Sequence, residues 1–202
     1  MVDTFQKRLW LMRHRITAWA DAVALYREAH STRMVMVLLT YAKVEDYKPG
    51  HINYYLKLLK QSLREHLLAF AWVAELQERG AVHYHLVLLV DKGTKIPLPD
   101  KSGMWSHGLS GIHTARTPFY LLKYTGKERQ KDLGRYPKSC RLYAASVRGL
   151  GEHLGLVFRH NADLPRLGNA EGERVRSGEF QYLGSSVTAD YMTDVVLASA
   201  MR

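Results

Sequence analysis

Residues 70–90 read FAWVAELQERGAVHYHLVLLV, and this stretch decides the fold. Two runs rich in aromatic and branched residues flank the tripeptide Glu78–Gly80, a pattern that predicts two strands joined by a short hairpin loop. Three-residue hairpin loops commonly end on a left-handed residue, and Gly80 adopts that conformation without strain. The stretch therefore predicts an antiparallel hairpin whose register is set by its loop.

The predicted register brings three polar side chains to one face of the hairpin. It pairs three sets of residues directly across the two strands: Gln77 with Ala81, Glu75 with His83, and Val73 with His85. Residues two apart in a strand share a face, so His83 and His85 should emerge side by side. Directly opposed residues also share a face, and Glu75 should therefore stand beside His83.

Two imidazoles and one carboxylate form a candidate set of metal ligands: His83, His85 and Glu75. A closed structural zinc site is not expected, because Cys140 is the single cysteine of the chain. The set leaves coordination positions open, which suits Mg²⁺ or Mn²⁺ gripping a substrate oxygen. The alternative is a pair of core histidines beside a carboxylate turned to solvent.

A short helix is predicted over Thr117–Lys127, because its first two residues, a threonine and a proline, suit the N-cap and the first helical position. Tyr120 and Tyr124 are four residues apart and lie on one helix face, and Lys123 and Lys127 each follow a tyrosine by three residues. Beside a metal site, two tyrosines with nearby cations suit alternate nucleophiles for phosphoryl transfer. The alternative is an amphipathic helix with packed tyrosines and solvated lysines.

The charge balance suits a nucleic-acid partner. The chain has 29 Lys and Arg against 19 Asp and Glu, with a formal net charge of +10, and its sequence pI is near 9.7. Basic residues concentrate after residue 115 and interleave with tyrosines, as a surface that binds single strands by charge and stacking requires. The alternative is a solvated basic face. The candidate DNA-binding residues are Arg116, Arg129, Lys131, Arg135, Lys138 and Arg141.

The spacing of apolar residues predicts an α+β fold with an antiparallel central sheet of about five strands and helices on one face. Helices are predicted over Phe5–Ala29 and His51–Leu68, a first strand over Met34–Thr40 and a closing strand over Leu154–Phe158. One domain is expected over residues 1–160, with the N-terminal helix packed on it. Residues 161–202 are expected to form an extended tail that a short C-terminal helix could end.

Three of these features resemble, in their order and spacing, the HUH endonucleases, and more narrowly the two-tyrosine rolling-circle replication initiators of small single-stranded-DNA phages. They are the strand that ends at Thr40, the acidic-Gly-His-hydrophobic-His hairpin over Glu75–His85 and the Tyr-x-x-Lys-Tyr helix over Tyr120–Tyr124. The tetrapeptide Trp105–Gly108 is also similar to that group. The resemblance covers roughly residues 33 to 150.

The resemblance implies a ferredoxin-like (RRM-like) palm with the two histidines on its central strand and one sheet face accessible to DNA. It also implies that an ion held by His83, His85 and Glu75 polarises the scissile phosphate. One tyrosine would nick single-stranded DNA at an origin, forming a 5′-phosphotyrosine and a free 3′-hydroxyl, and the other would close. Both tyrosines have a lysine three residues later, and we take Tyr120 as the first to attack. Gln77 is an outer-shell candidate, whereas Thr40 is expected only to shape its strand.

Cellular context follows from the same features. No apolar run reaches the length of a membrane helix, the N-terminus lacks a secretory pattern, and a single cysteine offers no disulfide framework. A cytoplasmic protein is expected, in the host cytoplasm if the gene is phage-borne, with a host helicase and polymerase as further partners.

Two other functions remain open at this stage. One is an HUH transposase or conjugative relaxase, which would share the metal and tyrosine chemistry but act on a different process. The other is a non-catalytic basic module that binds nucleic acid and in which the histidines belong to the core.

Overall fold

Strands dominate the middle of the chain in the computed structural model, which describes residues 4–127, 136–152, 154, 155, 158, 159, 172–174 and 180–182. The strands are β1 Thr32–Thr40, β2 Leu67–Leu76, β3 Val82–Asp91, β4 Ser110–Thr114, β5 Tyr143–Ser146, β6 Gly172–Arg174 and β7 Phe180–Tyr182. The helices are α1 Thr4–Ala29, α2 His51–Leu63 and α3 Leu122–Lys127, with single 3₁₀ turns at Arg64–His66, Pro118–Leu121 and Arg148–Leu150.

Five strands form one antiparallel sheet in the order β4-β1-β3-β2-β5. This arrangement confirms the α+β class and the five-stranded antiparallel sheet predicted from the sequence. The strand that carries His83 and His85, β3, lies at the centre, hydrogen-bonded to β1 on one side and β2 on the other. A central strand has no free edge, so the two imidazoles are held at fixed positions by both neighbours.

Helices cover both faces of the sheet rather than the one face predicted. Helix α2 buries five side chains against the face formed by alternate residues such as Val37, Trp72 and Leu86. Helix α1 buries Met12, Ile16 and Trp19 against the opposite face. The central strands are apolar on both faces, so each face requires a cover, and the expectation of one sheet face accessible to DNA is wrong.

The closing strand also differs from the expectation. Strand β5, Tyr143–Ser146, pairs with β2 and forms the edge of the sheet, with Ala145 opposite Ala71. The described residues between Leu154 and Phe158 are helical instead. A five-residue apolar run does not distinguish a strand from a buried helical turn by periodicity, which explains the wrong assignment.

The chain divides into two compact units, residues 1–162 and 163–202. The sheet and helices above belong to the first. In the second, β6 and β7 form a two-stranded antiparallel pair, with Glu173 opposite Gln181. The predicted C-terminal helix lies outside the described residues. Among the helices that are described, none has the length and apolar character required to cross a membrane.

Candidate active site

The hairpin of β2 and β3 has the register predicted from its loop. Glu75 lies opposite His83 and Val73 opposite His85. Gly80 has a φ of 86°, and its N–H donates to the Gln77 carbonyl at 2.8 Å. The left-handed glycine closes the three-residue loop as expected, and Glu75, His83 and His85 therefore share one face. This face is the one that α1 covers further along the strands.

His85 and Glu75 form the most buried polar contact of this face. The two side chains are 9% and 15% exposed, and His85 Nε2 lies 2.9 Å from Glu75 Oε2. Burial, and secondarily His83, lowers the pKa of His85 to about 4, although Glu75 opposes the shift. His85 is therefore neutral near pH 7 and donates its Nε2–H to the carboxylate. Its Nδ1 is buried without a hydrogen-bond partner.

His83 stacks on His85, with ring centroids 4.4 Å apart. Its Nδ1 lies 3.3 Å from Thr40 Oγ1 and 3.3 Å from Gln77 Nε2, while its Nε2 is buried without a partner. Burial lowers the pKa of His83 as well. Gln77 thus lies where the hairpin pattern predicted it. Thr40 does more than shape its strand, because its hydroxyl contacts a histidine of the site.

The tyrosine helix packs directly onto this centre. Thr117 begins it as predicted, because its Oγ1 accepts a hydrogen bond from the Phe119 N–H. The Tyr124 ring stacks on the His85 ring at a centroid distance of 3.6 Å, and the hydroxyls of Tyr120 and Tyr124 are 3.1 Å apart. Both candidate nucleophiles therefore stand beside the histidine pair.

Lys123 supplies a cation to both tyrosines. Its Nζ lies 3.7 Å from the centroid of the Tyr120 ring and 4.7 Å from that of Tyr124. Burial raises the pKa of Tyr124, and the neighbouring Tyr120 hydroxyl and Glu75 raise it further. The Tyr124 hydroxyl is consequently protonated at rest. The backbone of Lys127 ends α3, but its side chain lies outside the description.

The donor chemistry of this centre fits a divalent cation. His83 and His85 are neutral imidazoles, each with one buried ring nitrogen that has no hydrogen-bond partner, and the Glu75 carboxylate adds an anionic oxygen. Adjacent ligands of an octahedral ion stand about 3 Å apart, which is close to the 2.9 Å between His85 Nε2 and Glu75 Oε2. In the part of the chain described, however, no three His, Cys, Asp or Glu side chains stand ready to hold a metal. The carboxylate contacts His85 directly instead.

The predicted DNA-binding residues are only partly described. Arg116, Lys138 and Arg141 are exposed, and Arg116 lies two residues before the tyrosine helix begins. The Arg141 Nε–H donates to the Tyr143 carbonyl at 3.1 Å, which ties it to β5. The other three predicted residues, Arg129, Lys131 and Arg135, lie outside the described residues.

Two features of the site were missed in the sequence. Trp105 donates its Nε1–H to the Thr40 carbonyl at 3.1 Å and so fixes the end of β1 next to His83. Arg79, in the hairpin loop, contacts Gln77 and the backbone that follows β1. The tetrapeptide Trp105–Gly108 was a signal for the first. For the second, the only signal was an arginine inside a tight loop.

Comparison with known proteins agrees with the position of this centre. Residues 34–129 match a family model of replication-associated proteins, the ORF2 type. That stretch starts in β1 and contains the hairpin and the tyrosine helix, so it holds every described residue of the centre. No curated protein and no solved structure gives a significant match. The family match supports a place for the chain among replication-associated proteins.

Proposed function

We propose that the protein nicks and rejoins single-stranded DNA at an origin and thereby initiates rolling-circle replication. One observation carries the proposal: the Tyr124 ring stacks 3.6 Å from the His85 ring, which brings two tyrosine hydroxyls to a buried His-His-Glu centre. The match to replication-associated proteins over the same residues supports replication as the process, rather than transposition or conjugative transfer.

In the proposed reaction, a tyrosine oxygen attacks the phosphorus of the scissile phosphodiester. A bond forms between phosphorus and the tyrosine oxygen, and the bond from phosphorus to the 3′-oxygen breaks. The tyrosine loses its hydroxyl proton and the 3′-oxygen gains one, so the products are a 5′-phosphotyrosine and a 3′-hydroxyl. Attack of a 3′-hydroxyl on the phosphotyrosine reverses these changes, joins the strand and releases the tyrosine.

We assign His83, His85 and Glu75 as the residues that would hold Mg²⁺ or Mn²⁺. When bound, such an ion supplies Lewis-acid polarisation of the phosphate. The protein's own contribution is to keep both imidazoles neutral through burial. A protonated imidazole would repel a cation and has no lone pair to offer it.

Tyr120 is the better candidate for the first attack. It is half-buried, whereas Tyr124 is buried against His85, and the pKa of Tyr124 is raised by burial and by its neighbours. A more accessible hydroxyl reaches an incoming phosphate first. The 3.1 Å contact between the two hydroxyls would let the second tyrosine act from almost the same position. Lys123 is positioned to stabilise the negative charge that develops during attack by either.

Single-stranded DNA is the proposed substrate, and the exposed residues Arg116, Lys138 and Arg141 are proposed to contact its backbone. The proposed contacts predict binding that weakens as salt rises. Arg129, Lys131, Arg135 and Lys127 remain candidates from the sequence. A host helicase and polymerase would act on the strand after the nick, in the cytoplasm of the host.

The test is formation of a covalent adduct. Wild type, Tyr120→Phe, Tyr124→Phe and the double variant are incubated with Mn²⁺ and labelled single-stranded oligonucleotides tiled across the replicon that encodes the chain. Adducts are then separated on a denaturing gel. We expect an EDTA-sensitive adduct with wild type, a reduced one with each single variant and none with the double variant.

Tyr54→Phe is the matched control, because Tyr54 is 58% exposed on α2 and lies outside this centre. It should form the adduct as wild type does. Tight DNA binding without an adduct on any oligonucleotide would instead support the non-catalytic binding module. Rejoining of two oligonucleotides by the adduct distinguishes a strand transferase from a simple nuclease.

A further inference from the structure

Arg79 ties the tip of the hairpin to the end of β1. Its Nη1–H donates to the Ala42 carbonyl at 2.7 Å, and its Nη2–H donates to the Tyr41 carbonyl. Its Nε–H donates to Gln77 Oε1 at 3.1 Å. The head group of this loop arginine is therefore held by three hydrogen bonds, and one of them reaches a side chain that contacts His83.

The direction of these bonds fixes the orientation of the Gln77 amide. A guanidinium only donates hydrogen bonds, so the Gln77 atom that faces Arg79 must be the carbonyl oxygen. The amide NH₂ group then faces His83 Nδ1, at 3.3 Å. An NH₂ group of this kind only donates, and His83 Nδ1 must accept. The single ring proton of the neutral imidazole consequently resides on Nε2.

We propose that Arg79 is a positioning residue that acts through Gln77 to hold the proton of His83 on Nε2. In this state His83 presents a buried N–H donor, suited to a phosphate oxygen of single-stranded DNA. It offers no Nε2 lone pair to a cation. Cation binding at His83 Nε2 therefore requires the Gln77 amide to turn over, so that its oxygen accepts from Nδ1–H and its NH₂ group faces Arg79. Arg79 opposes that turn.

This assignment deepens the proposed function and rests on it for the identity of the centre. It also explains why the three candidate ligands do not stand ready for a metal among the described residues. The network favours a state in which His83 receives DNA, and the Gln77 amide decides when His83 becomes a ligand. Thr40 Oγ1, also 3.3 Å from Nδ1, can donate or accept and is compatible with both states.

The first test needs neither DNA nor a metal. In ¹⁵N-labelled wild-type protein, long-range ¹⁵N–¹H correlation spectra distinguish protonated from unprotonated ring nitrogens, and the His83 signals are assigned by their loss in His83→Gln. We expect protonated Nε2 and unprotonated Nδ1. In Gln77→Glu, a carboxylate accepts from both Arg79 and His83, and we expect the proton to move to Nδ1. A wild-type His83 with its proton on Nδ1 would overturn the proposal.

The second test measures Mn²⁺ affinity of the full chain by calorimetry. Arg79→Met frees Gln77 to turn, and we expect about tenfold tighter binding, the effect of roughly one hydrogen bond. Lys43→Met is the matched control for charge, because exposed Lys43 follows Ala42 directly and removes one positive charge from the same edge. Binding by Arg79→Met that is no tighter than binding by Lys43→Met contradicts the proposal.

The two tests separate this inference from the proposed function. If Mn²⁺ binds neither wild type nor variants, the cation site fails, while the tautomer of His83 is still decided by the spectra. If the spectra show the Nε2 proton and no oligonucleotide forms an adduct, the positioning role of Arg79 stands and the nickase fails.

Discussion

The protein contains two pairs of stacked imidazoles close to the end of β1, and only one of them has the neighbours of a catalytic centre. His83 and His85 stack with centroids 4.4 Å apart, and His51 and His107 with centroids 3.7 Å apart. The consecutive residues Thr40 and Tyr41 contact one pair each, through Thr40 Oγ1 to His83 and the Tyr41 hydroxyl to His51.

The surroundings of the two pairs differ. The pair on β3 has a carboxylate at 2.9 Å, a stacked tyrosine and two buried ring nitrogens without a hydrogen-bond partner. His51 and His107 are half-buried, and burial and nearby Lys48 lower the pKa of each. Stacked histidines alone are therefore not evidence of a site. The carboxylate, the tyrosines and the unpartnered nitrogens supply that evidence.

The largest effect should separate the pairs by activity. We expect His83→Gln and His85→Gln each to lower the rate of adduct formation by about 1,000-fold or more, since loss of an essential group costs roughly 4 kcal/mol of transition-state stabilisation. His51→Gln and His107→Gln are the matched variants and should stay within about threefold of wild type. Single-turnover rates on one labelled oligonucleotide check this. Equal losses in both pairs would remove the distinction.

The second effect concerns stability against pH. The folded-state pKa of His85 is about 4, below the ordinary value near 6.5, so the unfolded chain binds more protons between these values. Stability is fully present above pH 6.5 and falls as the pH drops toward 4, by an amount on the order of 3 kcal/mol. Denaturant unfolding at several pH values should show this slope flattened in His85→Gln. In His107→Gln, where the histidine is half-buried, the slope should stay near that of wild type.

The smallest of these effects concerns the backbone that both pairs share. A side chain at Gly108 would overlap the Thr40 carbonyl oxygen and lie 2.6 Å from the Ala42 nitrogen. We expect Gly108→Ala to lower the free energy of unfolding by about 2 kcal/mol, because two backbone segments must separate. Leu109→Ala, beside it and 76% exposed, should change it little. If both variants unfold alike in denaturant, the close approach of this loop to β1 is not important for stability.

The sequence predicted the hairpin well because its geometry is local. A three-residue loop ending in glycine sets the register of β2 and β3, and with it the shared face of Glu75, His83 and His85. The covering of both sheet faces was missed, although the apolar run Leu86–Val90 already indicated a strand buried on both sides.

Contacts between distant segments could not be read from spacing. Arg79 meets the backbone after β1, and His51 at the start of α2 meets His107 in the loop before β4. Such meetings depend on how the strands are ordered in the sheet, and no local pattern records that order. The stacking of Tyr124 on His85 belongs to the same class, because only the packing of α3 against the sheet creates it.

The most direct test of the account is to find the residue that carries the DNA. Wild-type adduct formed with Mn²⁺ is digested with trypsin and nuclease, and mass spectrometry locates the remaining nucleotide. The account predicts a nucleotide on Tyr120 or Tyr124, with most of the label moving to the remaining tyrosine when Tyr120 becomes Phe. A nucleotide on any other residue, or an adduct that persists in Tyr120→Phe/Tyr124→Phe, would contradict the claim that the β3 histidines and the tyrosine helix form the catalytic centre.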